Sequence, residues 1–320
     1  MSAARVVALS GGGGGAKLAL GLYRVLPPDS LTVVVNTGDD FEHLGLTICP
    51  DVDTTLYTLA GLANPELGWG RRDETWTFMR TLATLGGESW FRLGDGDLAL
   101  HVERTRRLTG GESLSEVLAA IAARLEIRAA IVPMSDEAVR TRVTTTHGEL
   151  AFQEYFVRER CLPTVTAVKF AGADRARPSG SARAALTDAA LAAIIICPSN
   201  PYLSIDPILA VPGLRELLQA ARAPVIAVTP LVSGRAIKGP AAKIMAELGL
   251  QPSAATVAAH YAGLIDGFVL DEQDAALAPL LAAALHVTDT VMVSLADRER
   301  LASEVLEFAA RLRAAGSARS

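Results

Sequence analysis

Short apolar runs alternate along the chain with longer amphipathic segments. Near-continuous apolar runs are typical of strands buried on both faces of a parallel sheet, whereas apolar residues spaced three and four apart indicate helices. Because the two patterns alternate, we predict an α/β fold with a mostly parallel sheet flanked by helices. The predicted strands lie at residues 6–9, 31–35, 129–132, 193–197, 225–228, 267–270 and 288–293, and the predicted helices at 16–26, 54–62, 114–125, 214–221 and 296–314.

The middle of the chain departs from this alternation. A capping box at residues 113–116 starts a helix, and residues 142–146 and 151–157 alternate in polarity as the strands of a hairpin do. Residues 171–182, rich in Arg, Pro, Gly and Ser, indicate a linker or a mobile loop. We therefore predict a single domain over residues 1–320, within which residues 55–185 form an inserted helical and β-hairpin region that binds substrate.

Composition narrows the classes of function. The chain of 320 residues is 50% hydrophobic, and its 30 basic and 35 acidic residues give a net charge of -5, which does not favour nucleic acid or an anionic membrane as a partner. No apolar run is long enough to span a bilayer and the N-terminus is unlike a signal peptide, so we expect a cytoplasmic protein. The 3 cysteines form no C-x-x-C pair and the 5 histidines no H-E-x-x-H pair, which argues against a disulfide framework and a zinc site.

A run of glycines follows the first predicted strand, at residues 11–15. Backbone N–H groups without neighbouring Cβ atoms can converge on an anion at the positive end of the next helix, so we predict a phosphate-binding loop; a flexible turn is the alternative. The loop matches neither common phosphate motif. Asn36 replaces the acid that a dinucleotide site needs at the end of its second strand, and the residues beside Lys17 break the Walker pattern.

Carboxylates crowd into residues 36–54, directly after the predicted strand at 31–35, where open α/β sheets build their sites. Like charges at this density repel one another unless a metal ion, a basic group or a hydrogen-bonding ligand compensates them. The alternative is a solvated acidic loop that caps a helix. The carboxylates are Asp39, Asp40, Glu42, Asp51 and Asp53.

Other candidate site residues lie in predicted loops. The two tryptophans at 69 and 76 either hold a planar ligand or form a small local core, and a nearby arginine either meets an anionic ligand or pairs with a carboxylate. The polar residues after the strand at 193–197 either contact a base or ribose or make a rigid turn, and a later lysine either meets phosphate or is solvated. The candidates are Trp69, Arg92, Ser199, Asn200 and Lys238.

Several segments, taken together and in order, resemble the 2-phospho-L-lactate transferases of coenzyme F-420 biosynthesis. The resemblance implies a Rossmann-like fold, a requirement for Mg²⁺, a homodimer, and a partner guanylyltransferase that supplies the donor. It implies transfer of a phospho-three-carbon acid from its guanosine-diphospho-linked form to the terminal ribityl hydroxyl of the deazaflavin Fo, with release of GMP. The matching segments are residues 10–18, 36–40, 48–54, 68–71, 90–95, 133–136, 198–201 and 238–243.

The resemblance also implies roles for individual residues. Asp53 and Arg92 match deazaflavin-binding positions, Asp51 matches a metal-binding acid, and residues 198–201 match the nucleotide side. The chain departs from the family at Gly13, in the glycine loop, and at Gly96, where the family often has an arginine. The glycine-loop positions that match the nucleotide side are Gly11, Gly12, Gly14, Gly15 and the adjoining Lys17.

Our hypothesis from the sequence is a Mg²⁺-dependent transferase. Asp51 holds the metal with Asp39 or Asp40, and Asp53 is the base or orienter of the acceptor hydroxyl. An extended segment at 51–54 is expected, so that alternate side chains line one crevice. The phospho-acid, whether phospholactate, phosphoenolpyruvate or phosphoglycerate, is left open. A non-catalytic nucleotide-sugar-binding regulator on the same fold, as in gluconeogenesis factors, is the nearest alternative, and a dehydrogenase is disfavoured by Asn36.

Overall fold

Strands and helices alternate along most of the chain in the computed structural model, which describes residues 4–66, 68–237 and 239–317. The strands are β1 (Arg5–Ser10), β2 (Leu31–Val35), β3 (Phe41–His43), β4 (Leu46–Ile48), β5 (Ala130–Pro133), β6 (Arg140–Thr145), β7 (Gly148–Ala151), β8 (Val165–Ala171), β9 (Leu191–Ile196), β10 (Val225–Val228), β11 (Leu231–Val232), β12 (Arg235–Ala236), β13 (Gly267–Asp271) and β14 (Ala284–Thr288). The α-helices are α1 (Gly12–Val25), α2 (Pro50–Leu59), α3 (Thr77–Thr84), α4 (Asp95–Thr109), α5 (Leu114–Arg124), α6 (Gly180–Leu186), α7 (Asp206–Leu209), α8 (Leu214–Ala220), α9 (Ala241–Glu247), α10 (Ala254–His260) and α11 (Leu295–Ser317).

Within the described chain, a seven-stranded sheet has the order β14-β13-β10-β9-β1-β2-β5, and all its pairs are parallel. The chain builds from β1 through β2 to β5, then returns to the other side of β1 with β9 and continues to β14. The strand order therefore reverses between β1 and β9, which is where doubly wound sheets leave a crevice outside the carboxyl ends of their strands. The predicted Rossmann-like α/β fold is confirmed.

The sheet is covered on both faces. Alternate residues of β1 point to opposite sides, so that Val6 and Ala8 pack with α1, α2, α5 and α11, whereas Val7 and Leu9 pack with α6, α8 and α10. Helix α1 lies against α11 at Gly21, where a Cβ atom would overlap the backbone carbonyl of Arg298. None of the described helices has the length and apolar content needed to cross a membrane.

A small antiparallel sheet of β7, β6 and β8 stands beside the carboxyl end of β2. The Thr141 N–H donates to the Gly38 carbonyl at 2.7 Å and so ties β6 to the acidic segment. The predicted hairpin is present, but its second strand is Gly148–Ala151 and not residues 151–157, most of which are helical and include a π-helical turn at Glu154–Arg158. The third strand, β8, comes from a part of the chain that we did not predict as a strand.

Two sequence predictions in the outer parts of the fold are wrong. Residues 171–182 are not a linker, because Ala173, Ala176 and Ala182 are buried against the core and α6 begins at Gly180. The last strand is β14 at Ala284–Thr288 rather than residues 288–293. The boundaries of the substrate-binding region stay a prediction; β5, which lies inside residues 55–185, is nevertheless an edge strand of the main sheet.

Candidate functional site

The carboxyl ends of β1, β2 and β9 meet at one edge of the sheet. The Asn36 N–H donates to the Ser10 carbonyl at 3.0 Å, which aligns the ends of β2 and β1. The Gly11 N–H donates to Ser199 Oγ at 3.1 Å across a separation of 188 residues. The loops predicted as phosphate-binding and ribose-binding are therefore neighbours, as strand order reversal between β1 and β9 requires.

The glycines after β1 belong mostly to a helix rather than to a loop. Helix α1 begins at Gly12, and only Gly11 precedes it, so the predicted loop over residues 11–15 is wrong in its conformation. A Cβ atom at Gly14 would overlap the carbonyl of Pro198, and one at Gly15 would overlap the hydroxyls of Ser10 and Ser199. These glycines are needed because α1 starts against the loop after β9. Binding of phosphate at its first turn stays a prediction.

Asn36 holds two buried carboxylates together. Its Nδ2 donates to Asp39 Oδ1 at 3.0 Å and to Asp51 Oδ2 at 2.9 Å, while its Oδ1 accepts from the Gly38 N–H at 2.8 Å. Asn36 is fully buried and each carboxylate is only 6% exposed. Asp51 also accepts a hydrogen bond from the backbone of Gly12, in the first turn of α1.

Burial and mutual repulsion disfavour two negative charges in this pair. Burial raises the pKa of Asp39 well above its ordinary value, and the charge of Asp51 raises it further against the hydrogen bond from Asn36. Burial raises the pKa of Asp51 to about 6, although hydrogen bonds from Asn36 and Gly12 oppose the change. Such a pair is suited to a compensating cation or to a ligand that donates hydrogen bonds.

Asp40 faces different partners from Asp39. Burial raises its pKa to about 7, against the lowering effects of Arg140, of a hydrogen bond from Cys49 and of Arg104. Its Oδ1 is buried and has no hydrogen-bond partner within the described chain. Of the predicted metal-binding trio, Asp39 and Asp51 therefore share Asn36, whereas the partners of Asp40 are Arg140, Cys49 and Arg104.

Asp53 is held by an arginine that we did not predict. The segment from Pro50 is the first turn of α2, so the expected extended conformation at 51–54 is wrong. Side chains two positions apart on an α-helix lie on different faces. Asp53 therefore points away from Asp51 and towards Arg104 of α4. Both oxygens of Asp53 accept hydrogen bonds from this guanidinium, which is fully buried.

A chain of polar side chains continues from this ion pair. His101 Nδ1 lies 3.7 Å from Asp53 Oδ2, and its Nε2 lies 3.3 Å from Asp97 Oδ1. Tyr57 donates from its hydroxyl to Asp97 at 2.6 Å. Burial alone would raise the pKa of Asp97, but His101 and Tyr57 lower it below its ordinary value. The sequence carried one signal for this network, since Asp97, His101 and Arg104 follow the spacing of one helix face.

The tryptophans Trp69 and Trp76 form an aromatic cluster near the start of α4. Trp69, which is 44% exposed, contacts Trp76 edge to face with ring centroids 6.4 Å apart. The guanidinium of Arg92 lies 4.3 Å from the Trp76 ring centre, which is a cation–π contact, and its contact with an anionic ligand stays a prediction. Glu74 accepts from the N–H groups at the start of α4, including that of Gly96 at 2.6 Å.

At Gly96, where the family often has an arginine, a different arginine, Arg71, lies close by. A Cβ atom at Gly96 would lie 2.9 Å from Arg71 Nη1, so the guanidinium of Arg71 occupies the space next to this glycine. Arg71 and Gly96 also line a cavity of about 480 Å³, together with Tyr57, Arg107 and Arg124. Gly13 has open space around its Cβ position and lies within α1, so it is not part of a flexible loop.

The remaining candidates have structural contacts of their own. Lys17 donates from Nζ to the Met292 carbonyl at 2.9 Å and so joins α1 to the segment before α11. Asn200 accepts from the N–H groups of Tyr202 and Leu203, as the cap of a π-helical turn, which is the rigid-turn alternative. Their roles in binding stay predictions. Lys238 lies outside the described residues.

Asp39 and Asp51 fit a magnesium ion that takes its other ligands from substrate phosphates and water. No group of three or more His, Cys, Asp or Glu side chains in the described parts of the chain forms a complete metal cage. Mg²⁺ is usually held by one or two carboxylates plus substrate phosphates and water, and Asp39 and Asp51 meet this description. Their shared amide and raised pKa values indicate an incompletely compensated pair.

Known proteins similar to this chain point to one family. The model of the family described as 2-phospho-L-lactate transferase CofD matches residues 6–284. A protein of Streptomyces griseus named phosphoenolpyruvate transferase is 41% identical over 319 residues, covering 97% of this chain and 100% of that protein. A Kitasatospora aureofaciens protein of the same name is 44% identical over 277 residues, covering 84% of this chain and 86% of that protein.

A solved structure supports the fold independently. A member of the UPF0052 family from Bacillus halodurans superposes with a TM-score of 0.62 at 16% identity, covering 96% of this chain and 100% of that one. At this identity the similarity concerns the fold alone. Because the family model spans most of the chain and relatives above 40% identity cover nearly all of it, this protein belongs to the 2-phospho-L-lactate transferase (CofD) family.

Proposed function

We propose that this protein transfers phosphoenolpyruvate from its guanosine-diphospho-linked form to the terminal ribityl hydroxyl of the deazaflavin Fo, giving dehydro coenzyme F-420-0 and GMP. The hydroxyl oxygen bonds to the phosphorus that carries the enolpyruvyl group, and the bond from that phosphorus to the oxygen bridging it to GMP breaks. GMP leaves with the bridging oxygen, and the hydroxyl proton passes to water. The choice of phosphoenolpyruvate over phospholactate and phosphoglycerate is supported by the name shared by the two actinobacterial relatives.

The observation that carries the proposal is the Asn36-bridged pair of Asp39 and Asp51 beside the first turn of α1. The pair lies where strand order reverses, which is the binding crevice of doubly wound folds. A diphosphate is densely charged, so a site for it needs helix N–H groups and a cation rather than bare carboxylates. The first turn of α1 supplies the N–H groups in this proposal.

Asp39 and Asp51 would hold Mg²⁺ together with the donor phosphates. When bound, the ion would neutralise the diphosphate and stabilise the leaving GMP. The chain's own residues orient the reactants: Asn36 keeps the two carboxylates facing one site, and Gly11 and Gly14 let α1 start against the loop after β9. Positioning of this kind dominates phosphoryl transfers, because they ask for little covalent chemistry from the protein.

The acceptor side of the proposal rests on Asp53 and the aromatic cluster of Trp69 and Trp76. The partly exposed Trp69 offers a face for a flat deazaflavin, with Trp76 and Arg92 behind it. Asp53 contacts the ribityl chain as an orienting acceptor; with both oxygens already accepting from Arg104, it is better suited to fixing a hydroxyl than to removing its proton. A homodimer and a partner guanylyltransferase remain part of the proposal.

Mass spectrometry of the product tests the reaction. The protein is incubated with Fo, GTP, Mg²⁺, a guanylyltransferase and one of the three phospho-acids at a time. We expect a product with the mass of Fo plus a phosphoenolpyruvyl group, formed faster than the phospholactyl or phosphoglyceryl product. Asp51→Asn should lower turnover by about 100-fold or more with folding retained, because an electrostatic contact to the transferred group is lost. Near-normal turnover of this variant would remove Asp51 from the site.

Binding of Fo separates this function from its nearest alternative. A non-catalytic nucleotide-sugar-binding regulator on the same fold would keep the nucleotide edge but would not need an acceptor surface. A fluorescence titration of the protein with Fo should show saturable binding, and an added nucleotide sugar should not displace the bound Fo. If Fo does not bind while a nucleotide sugar does, the regulator is the better assignment.

A further inference from the structure

The charge of Arg104 is enclosed by protein on every side. The residue lies in α4 and is 0% exposed, and its Nη1 donates to Asp53 Oδ2 at 3.1 Å and to the Thr47 carbonyl at 3.3 Å. Its Nη2 donates to Asp53 Oδ1, so the pair is bidentate. Burial is the largest single effect and lowers the pKa of Arg104, but the charge and hydrogen bonds of Asp53, with Cys49 and Asp40, together outweigh it and raise this pKa.

The guanidinium is itself braced from one side. His101 Nδ1 lies 3.4 Å from Arg104 Nη1, and Asp97 and Tyr57 continue the contacts from His101 back to α2, the helix that carries Asp53. The network therefore starts and ends on α2, with α4 between. Such a closed arrangement limits how far the Asp53 carboxylate can rotate relative to its own helix.

A buried ion pair of this kind is weak evidence for stability. The desolvation of two charges offsets much of their attraction, and well-packed apolar residues often stabilise a fold as well or better. What a bidentate pair does supply is direction: a planar guanidinium fixes the plane of the carboxylate and occupies one lone pair on each oxygen. The remaining lone pairs of Asp53 then point in a defined direction.

We propose that Arg104 is a positioning residue for the acceptor, acting through Asp53, with His101 and Asp97 as its supports. The inference rests on the proposed function, because it takes the ribityl hydroxyl as the group that Asp53 orients. The fork of Arg104 turns the free lone pairs of Asp53 towards that hydroxyl. Arg104 itself touches neither the acceptor nor the donor.

The test is a kinetic comparison of two Arg→Lys variants on the same helix. Arg104→Lys keeps the positive charge but loses the bidentate fork, whereas Arg106→Lys alters an exposed pair with Glu103 and is the control. For Arg104→Lys we expect kcat/KM for Fo to fall by about 10- to 100-fold, as for other misplaced orienting groups, while the KM for the donor changes less than about twofold. Arg106→Lys should match the wild type.

A double-mutant cycle shows whether Arg104 acts through Asp53. In an Asp53→Asn background, the further change Arg104→Lys should lower kcat/KM for Fo by less than about twofold, because the group to be oriented is already altered. Equal effects in both backgrounds would mean that Arg104 acts elsewhere and would overturn the proposal. If Arg104→Lys does not fold, His101→Ala replaces it, because it removes a support of Arg104 and keeps the ion pair with Asp53; a fall in kcat/KM for Fo with an unchanged KM for the donor is the expected result.

The outcomes distinguish the inference from the function on which it rests. If the wild type forms no product from Fo, the proposed function fails. If the wild type is active and Arg104→Lys, once folded, has the same kinetics as Arg106→Lys, only the positioning role fails and the ion pair is structural. Loss of thermal stability in Arg104→Lys with unchanged kinetics would lead to the same conclusion.

Discussion

The change Asn36→Asp tests the central feature of the site. Aspartate has almost the shape of asparagine and keeps the acceptor for the Gly38 N–H, but it removes both donors to Asp39 and Asp51 and adds a third negative charge. A hydrogen bond to a charged group contributes about 1.5 to 3 kcal/mol, so the loss of two should destabilise the fold by about 3 to 6 kcal/mol before repulsion is counted.

The loss of folding stability in Asn36→Asp should depend on pH. In the wild type, burial raises the pKa of Asp51 from 3.8 to about 6, so the native state holds more protons than the unfolded state in that range and stability falls as pH rises through it. For Asp51 alone the fall is about 3 kcal/mol. The third carboxylate of the variant adds to the repulsion at high pH, whereas at low pH a protonated acid can donate one of the lost hydrogen bonds.

Urea unfolding at pH 5 and pH 8, in EDTA, measures both effects. Asn200→Asp is a matched control, because Asn200 uses its side-chain oxygen as a cap and aspartate keeps that oxygen. We expect Asn36→Asp to lose several kcal/mol at pH 8 and clearly less at pH 5, with little change in the control. A loss below ~1 kcal/mol at pH 8, or one equal at both pH values, would refute the bridging role of Asn36.

Two further predictions concern the packing of α1 and the acceptor surface. Gly21→Ala should destabilise the fold by about 1 to 3 kcal/mol in urea unfolding, because its Cβ would overlap the Arg298 carbonyl, whereas Gly13→Ala, with open space, should be neutral or stabilise by about 0.5 to 1 kcal/mol. Equal effects at the two glycines would contradict the close contact between α1 and α11. Trp69→Ala should raise the KM for Fo by about 10-fold and leave the donor KM unchanged, since stacking on a flat ring contributes about 1 to 3 kcal/mol; an unchanged KM for Fo would place the ring elsewhere.

The site has two kinds of buried carboxylate, and their partners explain the difference. Asp39 and Asp51 share an amide that brings no positive charge, so burial raises the pKa of both, and the charge of Asp51 raises that of Asp39 further. Asp53 instead forms an ion pair with the positively charged guanidinium of Arg104. The first environment suits a cation and phosphates that arrive with the donor, and the second suits a fixed acceptor of hydrogen bonds. The transferase of our proposal needs both.

Some of this organisation was visible in local sequence patterns. The apolar run of β2 was predicted with its observed bounds, and the capping box at Ser113 starts α5 as expected, because such signals depend only on neighbouring residues. Pro50 was also a signal, since proline favours the first turn of a helix, and it should have indicated that α2 begins before Asp51. The glycine run was predicted to be a phosphate-binding loop, whereas most of it begins α1, where packing against the loop after β9 makes Gly14 and Gly15 necessary.

The sequence by itself determined six of the seven strands of the main sheet and showed that polar residues follow β1, β2 and β9, because these signals depend on neighbouring residues. Only the tertiary structure decided which of these residues meet. Asp53 and Arg104 are 51 residues apart, and Gly11 and Ser199 are 188 apart, so no local pattern specifies either contact. These pairings depend on the order of the strands and on the docking of α4 against α2, which is set by the burial of apolar surface across the whole sheet.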